Sequence, residues 1–71
     1  MSTRTPIDPL GHPTRAEIAD LLGELQLTTR DVLGYLPGEP EFVTVAYHLR
    51  VLEDAGLVEQ VEGVWRGKRA D

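Results

Sequence analysis

The chain has no cysteine among its 71 residues. That absence removes a disulfide framework, a thiolate metal site and a cysteine nucleophile together, and it fits a reducing compartment. Aromatic residues are few: one Phe, one Trp and two Tyr. No apolar run approaches the roughly 20 residues that a membrane-spanning helix needs. The opening stretch MSTRTPIDPLGHP has no apolar core of a signal peptide. The expectation is a soluble, cytoplasmic protein with no membrane partner. Lysine is nearly missing too. Lys68 stands beside six arginines, and twelve acidic residues against seven basic ones leave a net charge of −5. Nucleic-acid binders usually carry a basic footprint, because phosphate neutralisation supplies most non-specific affinity. Here there is no basic excess.

Catalytic patterns are also lacking. The sequence has no nucleophile elbow, no phosphate loop, no HExxH helix and no carboxylate pair at a distinctive spacing. The reading is therefore not an enzyme, with no cofactor. His12 and His48 are far apart in the sequence and give no zinc pattern. Chains near this length bury only about 60% of the surface they expose when unfolded, which allows one small core.

What is present is a clear order of elements. Residues 1–11 hold Pro6, Pro9 and Gly11 without an apolar period, and read as a flexible N-terminal arm. Residues 12–69 read as the folded domain. Pro13 suits the first turn of a helix, where its missing N–H costs nothing. Ile18, Leu21, Leu22 and Leu25 then line one face, and this helix should end near Glu24. Thr28 and Asp31 have the spacing of a capping box, with Leu27 and Val32 able to form the hydrophobic staple around it. Val32, Leu33 and Leu36 turn inward, and Pro37-Gly38 stops the second helix. A third helix is expected from about Pro40 to Ala55. Val45, Leu49 and Leu52 define its apolar face, Ala55 prolongs it, and Gly56 supplies the left-handed residue that closes it. Leu57 to Val61 reads as a strand, Glu62-Gly63 as a hairpin turn, and Val64-Trp65 as the start of the return strand.

This predicts a mainly α fold with a small β-hairpin (α+β): three helices followed by a two-stranded wing, the order of a winged helix-turn-helix. Two segments, LGHPTRAEIADLL (Leu10 to Leu22) and VAYHLRVLEDAGLVE (Val45 to Glu59), resemble the ArsR/SmtB-type winged-helix transcriptional regulators. The first is similar to that family's opening-helix pattern. The second is similar to its recognition helix and exit into the wing. The resemblance implies a DNA-binding transcriptional regulator, with the third helix in the major groove of double-stranded DNA and the wing, about Gln60 to Lys68, on adjacent backbone. The chain departs from the family in four ways. It lacks the sensory cysteines that members commonly place on the helix matching Thr28 to Leu36, which argues against metal or arsenical sensing. It stops before the dimer-building helix that many members have beyond the wing. The PGEPEF connection is longer than the family's tight turn. Glu41, Phe42 and Val43 replace the small polar residues usual at the start of the recognition helix.

Individual residues follow from this reading. Thr44 can meet a thymine methyl or a phosphate, Tyr47 a phosphate, and Arg50 a phosphate or a guanine edge. Arg66, Lys68 and Arg69 form the one basic cluster and can fix the register on the backbone. Each has a plainer role as well. Arg50 can pair with Asp54 one turn on. Tyr47 can pack on the second helix, and the basic cluster can be a solvated terminus. His48 is expected as a half-buried packing histidine, and His12 as a neighbour of the first helix's start. Arg15 is misplaced by helix-dipole logic and is expected to have a carboxylate or carbonyl partner. Trp65 should cap the core from the wing. Glu39, Glu41, Glu53 and Asp54 near the supposed DNA face favour an alternative: a winged-helix protein–protein interaction module that does not bind DNA and docks a protein partner through Phe42 and Val43. A homodimer is open as well.

Overall fold

The computed structural model describes residues 11–68. The expected N-terminal arm falls almost wholly outside them, as does Arg69. Within them lie three helices and one antiparallel hairpin: α1 (Pro13–Glu24), α2 (Thr29–Tyr35), α3 (Phe42–Asp54), β1 (Val58–Val61) and β2 (Val64–Gly67). This is the expected mixed α+β order, a small helix-turn-helix followed by a wing. No described helix is long and apolar enough to cross a membrane.

Each start and stop has a local cause. His12 caps α1: its Nδ1 accepts from the Thr14 amide at 3.3 Å, and Pro13 takes the first helical position. Thr28 and Asp31 form the capping box reciprocally, at 3.1 and 3.2 Å, satisfying two amides at the start of α2. The third helix begins later than the sequence suggests. Gly38 and Glu39 both take positive φ, 79° and 49°, so the chain turns before Pro40, and Glu41 becomes the N-cap without a side-chain hydrogen bond. At the far end Ala55 is the C-cap and is exposed, so it does not prolong the buried face. Gly56, at φ 80°, makes the left-handed exit as expected. β1 then starts at Val58, one residue later than expected. Glu62 and Gly63 turn the hairpin with φ 53° and 81°, the two positive values a type I′ turn requires.

Ile18, Leu22, Val32, Leu36, Val45, Leu49, Leu52, Val58 and Trp65 form one core cluster. All three helices and both strands contribute to it. Leu25 is absent from it: the residue sits past the helix end as the C-cap of α1 and is half exposed. The hairpin pairs Val58 with Gly67, Glu59 with Arg66, Gln60 with Trp65 and Val61 with Val64. Leu27, expected only as half of a hydrophobic staple, adds a bridge on the other edge of β2. It exchanges backbone hydrogen bonds of 3.0 and 2.7 Å with Trp65. The wing is thereby fastened to the α1–α2 connection as well as to the exit of α3.

Candidate nucleic-acid interface

The buried face of α3 carries Val45, His48, Leu49 and Leu52. The 3.6-residue period therefore leaves Val43, Thr44, Tyr47, Arg50 and Asp54 on the solvent side, and each of them is exposed. Thr44, Tyr47 and Arg50 follow one another at steps of three along this side, so the structure brings these three expected contact residues onto one surface. Tyr47 is 59% exposed, and its ring lies beside α1, with the Arg15 guanidinium 5.8 Å from its centroid.

The charges on this surface nearly cancel. Arg50 pairs with Glu53 at 3.8 Å, not with Asp54. Both side chains are well exposed, so this pair is worth little and is easily exchanged for another partner. On the wing, Arg66 donates to Glu59 at 2.7 Å directly across the hairpin. The expected phosphate contact at Arg66 thus has an acidic competitor in place. Lys68 is exposed at the end of the wing, its amide donating to the Leu57 carbonyl at 3.0 Å. Arg69, the third member of the expected cluster, lies outside the described residues.

A second grouping was not legible in the sequence. His12 and His48, 36 positions apart, bring their ring centroids to 4.6 Å. Arg15, expected beside a carboxylate or a carbonyl, donates from Nε to His48 Nδ1 at 3.0 Å. An accepting Nδ1 makes His48 the neutral tautomer with its proton on Nε2. His48 is buried rather than half-buried. Burial lowers its pKa below the usual 6.5, and the nearby His12 and Arg15 lower it further. Among the described residues no group of three or more His, Cys, Asp or Glu is placed to hold a metal ion.

No family model, curated protein or solved structure matches this chain. The site is therefore read from its own geometry. Its cationic donors are Arg15, Arg50, Arg66 and Lys68, and its neutral donors are Thr44 and Tyr47. Its apolar members stand toward the start of α3, where Phe42 is 49% and Val43 68% exposed. The Arg30 guanidinium lies 5.8 Å from the Phe42 ring centroid, which ties that edge of the surface to α2.

Proposed function

We propose that this protein is a small winged-helix transcriptional regulator that binds double-stranded DNA through α3. The observation that carries the reading is the exposed row Thr44–Tyr47–Arg50 on a helix held by a short helix before it and a hairpin after it. A helix presented this way fits a major groove about 12 Å wide, with its solvent face toward the base edges. Arg50 meets a guanine edge or a phosphate, Tyr47 a phosphate, and Thr44 a thymine methyl or a phosphate. Lys68 and, after exchange from Glu59, Arg66 meet the backbone beside the wing. The resemblance to ArsR/SmtB-type regulators favours the same reading, as an analogy of fold and motif.

The acidic balance sets the expected strength. With about three phosphates neutralised, log K should fall with log salt at a slope near −2.7, roughly a 40-fold loss between about 50 and 200 mM. Fluorescence anisotropy with a pool of random-sequence duplexes measures this directly. Binding at the low end of that range, with a slope near this value, is the expected result. No binding near 50 mM salt rejects the reading.

A second reading has its own observation. Phe42 and Val43 are exposed side by side on the first turn of α3, with Glu39 and Glu41 beside them. Such a patch suits a protein partner. Phe42→Lys separates the two readings: it abolishes protein docking and leaves DNA binding unchanged or stronger.

A further inference from the structure

Arg15 is on α1, outside the helix-turn-helix that the sequence points to, yet it stands against the proposed reading face. Its guanidinium is 5.8 Å from the ring of exposed Tyr47. Its Nε is fixed on His48 Nδ1 at 3.0 Å. Using Nε in this way leaves the four N–H groups of Nη1 and Nη2, the pair that grips an oxyanion in a bidentate fashion. Among the described residues no carboxylate lies within ion-pair distance of Arg15, whereas Arg50 and Arg66 each have one. On this surface Arg50 and Arg66 already carry acidic partners, whereas Arg15 offers a phosphate a guanidinium fixed at Nε.

We propose that Arg15 is a phosphate-contact residue of the DNA interface, held in place by neutral His48 and flanked by Tyr47. This deepens the DNA-binding reading and rests on it. His48 is then a positioning residue. It never reaches the DNA, and it aims the arginine by accepting its Nε–H. The rigid partner matters because an arginine otherwise loses side-chain freedom when it binds.

The arrangement has a consequence for pH. Protonating His48 at Nδ1 destroys the acceptor and places a second cation beside the guanidinium. The charged and titratable groups described around His48 are His12 and Arg15 at the start of α1 and Tyr47 on its own helix. None of them is an acid that would stabilise the imidazolium. Arg15 is therefore released on acidification, and one phosphate contact is lost. Plain electrostatics predicts the reverse, since an acidic protein that gains protons binds DNA more tightly.

The test is duplex binding by the whole chain, with random-sequence duplexes, over a salt series at two pH values. In the unaltered protein, affinity falls as pH drops from about 7.5 through the ordinary histidine range and on through the lowered value of folded His48. Arg15→Gln at the higher pH makes the salt slope shallower by about 0.9, the signature of one lost phosphate. His48→Gln offers Arg15 an amide oxygen that does not titrate, so it keeps the slope and loses the fall with acid. Thermal melts confirm that each variant is folded. An unchanged slope in Arg15→Gln, or tighter binding of the unaltered protein in acid, overturns the inference while leaving the DNA reading intact. Absence of duplex binding by the unaltered protein overturns both.

Discussion

The indole N–H of Trp65 donates to the hydroxyl of Thr29 across 2.9 Å. One residue thus joins the return strand of the wing to the first turn of α2, while its backbone pairs with Leu27 and its ring closes the core. The wing is held at three points by a single side chain and its own peptide.

Trp65→Phe keeps most of the buried ring and removes the donor. The expected loss is about 1 kcal/mol, the net worth of one hydrogen bond, read as a lower urea midpoint with an unchanged slope. Trp65→Ala removes the ring as well. It should cost about 3–5 kcal/mol, enough to unfold much of a domain this small.

Glycine substitutions should split by position. A Cβ on Gly67 would stand 3.0 Å from the carbonyl oxygen of Leu22, so β2 could not lie as closely on α1. Gly67→Ala is expected to destabilise by about 1–3 kcal/mol. Gly34 lies within α2 with nothing within 4 Å of such a Cβ. Gly34→Ala should therefore stabilise by about 0.5–1 kcal/mol. Thermal melts of the two variants should shift in opposite directions. Equal shifts would contradict the packing of the wing on α1.

Stability should also depend on His48. Its pKa is lowered in the fold, first by burial, then by His12 and Arg15, so the unfolded chain binds more protons than the folded one in mild acid. The contribution is fully present above the unfolded value of 6.5 and is lost as pH falls from there through the lowered folded value. Urea midpoints compared between the unaltered protein and His48→Gln across that window isolate the effect from the carboxylates. The two pH profiles should diverge below the unfolded value, with the histidine protein losing more. Parallel profiles would place His48 in a solvated site.

Periodicity and caps made the architecture legible. Val45, Leu49 and Leu52 announced the buried face of α3, Thr28 and Asp31 the start of α2, and Gly56 and Gly63 two of the left-handed turns. Two of the misses share a cause: a partner remote in sequence. Leu27 shows no strand pattern by itself, because a one-residue bridge needs Trp65 to define it. Arg15 looked misplaced because helix-dipole logic considers only its own helix, and its acceptor came from α3. Ala55 and Leu25 continued an apolar period beyond the point where the helix stopped. In the site, spacing placed Thr44, Tyr47 and Arg50 on one surface. The neutralising pairs Arg50–Glu53 and Arg66–Glu59 emerged only with the fold, since Glu59 opposes Arg66 through the hairpin register.

DNA binding through α3 is tested most directly by an amide chemical-shift map of the uniformly ¹⁵N-labelled protein titrated with a short random-sequence duplex near 50 mM salt, where phosphate contacts are least screened. Docking of α3 on DNA gives the largest changes at Thr44, Tyr47 and Arg50, with smaller ones at Arg15 and Lys68, all fading as salt is raised. An unchanged spectrum at that salt, or changes confined to Phe42 and Val43, would contradict it.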